Sequence, residues 1–263
     1  MQKTLSRKRK MTADKDNQPY DLDDTRATLL HREMLLGKPY LKRLYEEWYS
    51  DFKRRASLVS AKGLFLELGS GGGFLKSIFP EAITSDILEL PCVDKVCSAE
   101  RLPFEDNSIA CIMLLNVFHH IPRPRLFLKE AERTLVSGGK VVMVEPANSL
   151  FGRFVYKNFH HEPFNPKGEM EIAEGQPLSN SNQALPYIFF ERERKMFESS
   201  CPQLRLVSIK YHTPFSYIIS GGFSRRSMLP VFLYPLVRAV EYVLSPFAKV
   251  LGLFCTIELE KKA

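Results

Sequence analysis

The sequence lacks several features that would assign a protein class directly. Its five cysteines form no CxxC pair and no secreted disulfide framework, which indicates reduced residues in a cytoplasmic protein. The charged N-terminus has no apolar core of the kind a secretory signal needs. No repeat is present, which argues against a solenoid. The most apolar segment, 228–257, is interrupted by three prolines and three charged residues, which argues against a membrane-spanning helix.

Acidic residues are absent from the first ten positions, MQKTLSRKRK, although the whole chain carries both signs of charge. Five of the seven excess positive charges lie there, so the remainder of the chain is close to neutral. We expect residues 1–27 to form a disordered basic tail. Two interpretations of the tail stay open, namely a solvated arm and a segment that contacts anionic lipid or nucleic acid.

The remaining residues, 28–263, are long enough to form one domain with a substantial core. Apolar spacing predicts a helical flap over 28–60. Short β-rich runs then alternate with helical ones over 61–146, with strands predicted at 64–68, 82–86, 93–97, 109–115 and 140–145. This alternation predicts an α/β fold with a doubly wound, mostly parallel sheet. An amphipathic helix before the last of these strands is predicted to end at Gly138 and Gly139.

The second half of the chain departs from this alternation. Residues 147–186 are rich in Asn, Pro, Gly and Ser and follow a strand directly, which predicts a lid or substrate-binding insertion, or else disorder. Residues 187–263 then read as a helix, a strand, an apolar helix and a final strand. The two late strands are expected to add a hairpin-like pair to the sheet.

Glycine is concentrated in one stretch, LFLELGSGGGFLKSIFP, at the end of the first predicted strand. A glycine-rich turn into a helix lets a ligand approach the backbone closely. A phosphate-binding P-loop would need Gly-Lys-Ser/Thr, which is missing. A dinucleotide fingerprint would need glycine where Phe74 stands, so that interpretation is weakened but stays open.

The remaining pattern is E-x-G-x-G-x-G, formed by Glu67, Gly69, Gly71 and Gly73. It is followed in order by an acid at the end of the next strand, by CSAERLPFEDNSIACIMLLNVFHHIP and by TLVSGGKVVMVEP. Over residues 63–147 this series resembles the class I S-adenosylmethionine-dependent methyltransferases, type 11 group. The resemblance implies a Rossmann-like sheet of seven strands and S-adenosyl-L-methionine as the cofactor.

The resemblance also implies roles for residues near the cofactor. The glycine turn, including Ser70, would accommodate the methionine part, with Glu67 holding its ammonium group, and Asp86 would accept hydrogen bonds from the ribose. The adenine-binding turn would comprise Ser98, Ala99 and Glu100, and the cofactor-binding set also includes Asn116.

The sequence departs from the family pattern at two places in the part of the cofactor pocket that would bind the adenosine. Ser98 stands where the family commonly has Asp, so Glu100 or the backbone would have to contact the adenine. Only about six residues separate Asp86 from the next strand, too few for a normal crossover helix. The second helix is therefore expected to be replaced by LELPC, leaving the pocket open unless the N-terminal flap covers it.

Histidines follow the fourth predicted strand, where an acceptor would approach. His120 or His119 is predicted to take the acceptor proton, and the alternative is that both only line the pocket. In the loop NFHHEPFNP, His161 is a further candidate proton acceptor, with a plain surface loop as the alternative. That loop lacks the helical i, i+4 histidine spacing of zincins, so no metal is predicted.

The apolar helix predicted over 228–250 has a narrow polar stripe formed by Arg238, Glu241, Ser245 and Lys249. Such a helix buries three of its sides either on the protein itself or in a membrane interface. The second alternative would place the protein peripherally on the inner face of the membrane.

Together these features predict a methyltransferase that acts by in-line transfer on a small-molecule, glycan or lipid-linked acceptor. Nucleic acid is not expected as the substrate, because the fourth strand leads into NVFH rather than an Asn/Asp-Pro-Pro-aromatic motif. The alternative is a non-catalytic binding or scaffold protein that keeps the cofactor fold.

Overall fold

The computed structural model describes residues 12–13, 19–20, 24–160, 162–172 and 180–263. In the N-terminal segment, β1 (Thr12–Ala13) and β2 (Pro19–Tyr20) pair antiparallel. Most of the expected tail 1–27 and the candidate His161 lie outside the described residues. The flap begins slightly earlier than expected, since its first helix starts at Thr25.

Seven strands form one sheet in the order β5-β4-β3-β6-β7-β9-β8. The strands from β3 to β7 run parallel, whereas β9 lies antiparallel between β7 and β8. This confirms the predicted doubly wound, mostly parallel seven-stranded sheet and its late antiparallel pair. The strand bounds are β3 (Leu64–Leu68), β4 (Ile83–Asp86), β5 (Lys95–Val96), β6 (Ile109–Leu115), β7 (Leu135–Pro146), β8 (Leu204–His212) and β9 (Phe254–Lys261).

Helices cover both faces of the sheet and build one apolar core on each side. The predicted helix over 187–200 is present as two short helices joined by a π-helical turn, Ile188–Arg192. The helix bounds are α1 (Thr25–Gly37), α2 (Pro39–Ala56), α3 (Pro124–Thr134), α4 (Leu150–Phe159), α5 (Leu185–Tyr187), α6 (Arg194–Ser200), α7 (Ser216–Ile219), α8 (Tyr234–Val243) and α9 (Ala248–Leu251).

The prediction that Gly138 and Gly139 end a helix is wrong. Helix α3 already ends at Thr134, and the chain is extended from Leu135 onward. The pairing of β6 with β7 shifts register here, and Gly138 has a φ of +74°. These glycines therefore belong to a bulge in β7, which makes that strand longer than predicted.

The crossovers on either side of β4 are both reduced. Between β3 and β4 the expected helix is only a 3₁₀ turn, Leu75–Ser77. Between β4 and β5, residues 87–94 contain no helix, as predicted. Helix α2 covers the apolar face instead, since Trp48 and Phe52 are buried in the same core as Met113 of β6.

A buried ion-pair network joins α2 to the neighbouring strands β7 and β9 of the sheet. Arg55 Nε lies 2.6 Å from Asp51 Oδ2, and Arg55 Nη1 lies 2.5 Å from Glu258 Oε2. Lys140 Nζ contacts the second oxygen of Glu258 at 2.8 Å. Because these charges are largely withdrawn from water, each requires its partners.

Replacing Arg55 by Ala should therefore lower the free energy of unfolding by about 3 kcal/mol, since Glu258 loses one of its two cationic partners inside the protein. The neighbouring Arg54, which is exposed and also pairs with Asp51, offers a matched control. Its replacement by Ala should change stability by about 0.5 kcal/mol or less. Urea denaturation followed by circular dichroism measures both values, and equal effects would contradict a tethering role for Arg55.

Candidate active site

The glycine turn after β3 contains two positions that require glycine for backbone reasons. Gly69 and Gly71 have positive φ values of 64° and 48°. A Cβ on Gly69 would also lie 2.5 Å from the Val117 side chain, whereas the nearest atom to a Cβ on Gly71 is 3.7 Å away. Space for a ligand against the backbone is therefore found at Gly71 rather than at Gly69.

The other two glycines of the turn are packed against the N-terminal flap. A Cβ on Gly72 would lie 2.8 Å from the backbone nitrogen of Arg32, and the Tyr49 hydroxyl occupies the space beside Gly73. The Arg32 guanidinium donates a hydrogen bond to the Gly73 carbonyl oxygen. Gly73, predicted to line the cofactor site, thus makes room for α2, and α1 covers the turn.

Glu67 lies at the end of β3 with 2% of its surface exposed. No described residue donates a hydrogen bond to its Oε2. Burial raises the pKa of Glu67 to about 7, the nearby Asp86 acts in the same direction, and a hydrogen bond with Ser70 opposes the shift. Ser70 also accepts a 3.2 Å hydrogen bond from the Ser85 backbone nitrogen, so its hydroxyl is engaged within the protein.

Asn116 gives a second buried acceptor at the adjacent strand end. It follows β6 with a φ of 57°, its side chain hydrogen-bonds with Tyr45, and its Oδ1 has no donor among the described residues. A buried acceptor without a donor is costly. The unmatched oxygens of Glu67 and Asn116 therefore suit a ligand that brings N–H donors, as the ammonium group of S-adenosylmethionine does.

Asp86 lies beside the glycine turn, as predicted. Its Oδ2 accepts a 2.8 Å hydrogen bond from the Gly71 backbone nitrogen, and its Oδ1 accepts one of 2.9 Å from Leu88. Burial raises the pKa of this carboxyl, and the backbone donors oppose the rise. Each oxygen keeps a second lone pair that can accept a hydrogen bond from a ribose hydroxyl.

In the predicted adenine turn, formed by Ser98, Ala99 and Glu100, the polar groups are engaged by contacts within the protein. The Ser98 hydroxyl accepts a 3.2 Å hydrogen bond from the Glu100 backbone nitrogen, and Ala99 packs against the core. The Glu100 carboxylate is held by Arg123, whose Nη2 lies 2.7 Å from Oε2 and whose backbone nitrogen lies 2.8 Å from Oε1. Both Glu100 carboxylate oxygens are thus engaged by Arg123, and the contact of this turn with adenine stays a prediction.

On the acceptor side, buried His119 lies between two carboxylates. Its Nδ1 is 2.6 Å from Glu145 Oε2, and its Nε2 is 3.3 Å from Glu162 Oε2. Glu145 is fixed in turn by hydrogen bonds of 2.8 and 2.7 Å from the backbone nitrogens of Val117 and Phe118. Burial alone would lower the pKa of His119, but the two carboxylates outweigh it and raise the pKa to about 9. At neutral pH this side chain is an imidazolium.

His120 lies next to His119, with 4.3 Å between the two ring centroids. Its Nε2 is 3.7 Å from Glu162 Oε1. Gln183 Nε2 donates a 3.0 Å hydrogen bond to Glu162 Oε2 and lies 2.8 Å from His160 Nδ1. Despite its burial, the neighbouring histidines hold the pKa of Glu162 well below its usual range.

Sequence reasoning singled out His161 in the loop NFHHEPFNP and missed Glu162 as part of this site. The structure brings it there because the insertion after β7 folds back over the strand ends. Backbone hydrogen bonds fix that return, from Asn182 to the His119 carbonyl at 3.0 Å and from Ile172 to the Pro122 carbonyl at 3.1 Å. The signal in the sequence was an acid beside two histidines in an insertion that starts at a strand end.

The ligand-type atoms of His119, His120 and Glu162 lie within 4.8 Å of one another. This spacing is within reach of a single cation, and ion pairing accounts for it equally well. The absence of a metal therefore stays a prediction. These residues lie at the carboxyl edge of β3, β4, β6 and β7, together with Glu67, Asp86 and Asn116. Open α/β sheets bind their ligands at this edge.

Comparison with solved structures defines the fold class. A protein from Haloferax volcanii, described as a methyltransferase in complex with the Trm112 methyltransferase activator, superposes with a TM-score of 0.51 at 12% identity, covering 91% of this chain and 96% of that one. An S-adenosylmethionine-dependent methyltransferase from Archaeoglobus fulgidus gives a TM-score of 0.48 at 14% identity, covering 83% and 94%. A third, from Thermotoga maritima, gives 0.47 at 15% identity, covering 88% and 99%.

The family follows from the sequence of the central sheet. Residues 66–143 match the family model described as a methyltransferase domain. A search of curated proteins gives no significant match. Residues 66–143 therefore carry a methyltransferase domain of the class I, S-adenosylmethionine-dependent type 11 group. This confirms the resemblance read from the glycine turn and the motifs that follow it.

The pKa of Glu67 predicts how cofactor affinity depends on pH. Below about pH 7 the carboxyl is mostly protonated and neutral, and above it the carboxylate can pair with the cofactor ammonium. S-adenosylmethionine affinity should therefore increase as the pH rises from 6 to 8, and Glu67→Gln should lower it about tenfold at pH 8. Titration calorimetry measures both.

The Glu67→Gln variant should also lose most of the pH dependence between 6 and 8, because its side chain does not titrate. A variant that keeps the wild-type pH profile would assign the titration to another group. If the wild-type chain does not bind S-adenosylmethionine at millimolar concentration, the result would favour the alternative of a non-catalytic scaffold protein.

Proposed function

We propose that the protein methylates a small-molecule, glycan or lipid-linked acceptor that binds beside the His119–Glu162 cluster. The observation that carries this proposal is the juxtaposition of two groups of residues at one sheet edge. Glu67 and Asn116 offer buried acceptors for the donor molecule, and His120 lies with the buried charges at the adjoining strand end. A methyl acceptor must lie between such groups for in-line displacement.

On the donor side, the chain supplies orientation. S-adenosylmethionine, when bound, supplies an electrophilic methyl group on its sulfonium. Glu67 and Asn116 would hold its amino-acid end, and Asp86 its ribose, so that the methyl group faces the acceptor. Helix α1 lies against the glycine turn on this side, because a Cβ on Gly72 would lie 2.8 Å from the backbone nitrogen of Arg32.

On the acceptor side, we assign the general base to His120. His119 has both ring nitrogens engaged by carboxylates and is protonated at neutral pH, so it lacks the free lone pair that a base needs. Its role is positional, since it fixes Glu162 in place. An imidazolium formed on His120 would face Glu162 Oε1 at 3.7 Å, and this carboxylate would stabilise the new positive charge.

The substrate class is expected to require the insertion after β7. Glu162 and Gln183, two polar side chains of the acceptor site, come from this insertion rather than from the sheet. Because the insertion crosses the strand ends, its shape rather than that of the sheet would select the acceptor. This is why the core motifs define the donor and leave the acceptor unspecified.

Replacing His120 by Ala should lower methyl transfer about a hundredfold or more while leaving S-adenosylmethionine affinity nearly unchanged, because the residue would act on the acceptor proton. Transfer can be measured as radioactive methyl incorporation when the labelled donor is incubated with a cell extract. Turnover that equals wild type would remove His120 as the base.

Glu162→Gln should also reduce transfer, since it removes the charge that would stabilise protonated His120. The matched control is Glu169→Gln, an exposed position on the same insertion, which should leave turnover unchanged. Equal losses in both variants would show a general disturbance of the insertion rather than a role for Glu162.

A further inference from the structure

The helix α8 turns its polar side towards the protein. The Arg238 guanidinium binds both Glu47 of α2, at 3.0 Å from Nε to Oε2, and Glu241. Glu241 is buried and accepts 2.7 Å hydrogen bonds from the backbone nitrogens of Phe215 and Ser216. Two residues of the polar stripe therefore anchor α8 to the rest of the chain.

The apolar side of the same segment faces outward. Exposed apolar side chains recur at intervals of three or four residues within each of the two helical pieces, 231–243 and 245–251, which places them on one side of each piece. We call these side chains together the apolar row. The exposed fraction reaches 76% for Phe232, 72% for Val243 and 60% for Phe247. The other members of the row are Leu236, Val240 and Val250. Packing of these apolar sides on the protein itself, one of the two expected alternatives, is thus not what the structure shows.

Helix α4 extends this surface. Its exposed apolar side chains are Leu150, Phe154 and Phe159, the last with 67% of its surface exposed. The start of α4 is bound to the end of α9, because the Ser149 hydroxyl donates a 2.6 Å hydrogen bond to the Gly252 carbonyl oxygen. We call the combined exposed side of α4, α8 and α9 the apolar face.

The exposed charges within the two segments that carry the apolar face have one sign. Across residues 147–160 and 213–252, which the structure describes completely, the single acidic residue is the buried Glu241. The exposed charged side chains of the two segments are all cationic, namely Lys157, Arg225, Arg226 and Lys249. Aromatic and aliphatic side chains beside cations are the composition that binds the interface of an anionic bilayer.

We propose that the apolar face docks the protein on a membrane that contains anionic lipid. The helices would lie in the interface rather than cross it, because Arg238 and Glu241 hold the polar side of α8 on the protein. Within the described residues no single helix is long and apolar enough to span a bilayer; the pieces 231–243 and 245–251 reach that length and apolarity only together, and they are bent by 62°. An anionic bilayer accounts for both the apolar row and the exposed cations of the same segments.

This docking would bring the acceptor site close to the lipid. Helix α4 joins the end of β7, which carries Glu145, to the loop that carries His160 and Glu162. Resting on the proposed function, the acceptor would be amphiphilic, with its apolar part in the bilayer and its reacting group at the sheet edge.

Co-sedimentation of the full chain with extruded vesicles tests the docking. Binding is expected to vesicles of 70% phosphatidylcholine and 30% phosphatidylglycerol, and weaker binding to pure phosphatidylcholine or at 0.5 M salt. The combined variant Phe232→Ser, Val243→Ser and Phe247→Ser should bind at least tenfold more weakly.

The matched control is Leu58→Ser, Met196→Ser and Val207→Ser, three exposed apolar positions outside the apolar face, which should bind as wild type does. Both variants keep the basic N-terminal segment, so equal binding by both would assign membrane contact to that segment and overturn the proposal. A wild-type protein that fails to bind anionic vesicles would overturn the proposal as well. A wild-type dimer that becomes monomeric in the apolar-face variant, without vesicle binding, would assign the surface to a second copy instead.

S-adenosylmethionine affinity, measured on the same samples, should be unchanged in both variants and so reports on folding. Since vesicle binding needs neither the donor nor an acceptor, its failure would leave the proposed methyl transfer standing. Conversely, a His120→Ala variant that loses methyl transfer but binds vesicles normally would show that docking is independent of the transfer reaction.

Discussion

The structure depends on how α2 covers a parallel sheet that has lost most of two crossover helices. An apolar sheet face must be covered, and here the chain before β3 supplies the cover, held by the buried contact between Arg55 and Glu258. The same arrangement brings α1 against the glycine turn, where Gly72 and Gly73 admit Arg32 and Tyr49. The lack of full crossover helices thus leaves the N-terminal flap to cover both the sheet face and the glycine turn.

The acceptor side follows a second constraint, the compensation of buried charge. Glu145 and Glu162 are both withdrawn from water, and the His119 side chain lies between them in contact with both carboxylates. Because Glu162 belongs to the insertion after β7, this charge balance also orders part of that insertion over the strand ends. The group that satisfies the electrostatics is therefore unsuited to act as the base, which leaves the adjacent His120 for proton transfer.

Most of the sheet, and the positions of two acidic residues at its strand ends, could be predicted because they depend on local patterns. The strands 64–68 and 109–115 follow from apolar runs, and Glu67 and Asp86 follow from their positions at strand ends. The bulge at Gly138 could not be predicted, since a glycine pair after a helical pattern fits a helix cap equally well. Nor could the Arg123 contact that engages Glu100, or the return of Glu162, because both join residues distant in the sequence through tertiary packing.

The orientation of α8 illustrates the same limit and has a consequence for function. Periodicity defines a polar stripe on a helix, but the partners of that stripe decide which side faces the protein. Glu47 and the backbone donors of 215–216 bind the stripe of α8, so the apolar side is left outward. Since α4 shares this exposed surface and connects two residues of the acceptor cluster, the membrane contact and the choice of acceptor would be set by the same element. Substitutions in α4 would then affect both docking and the choice of acceptor, whereas substitutions in the apolar row of α8 and α9 would affect docking alone.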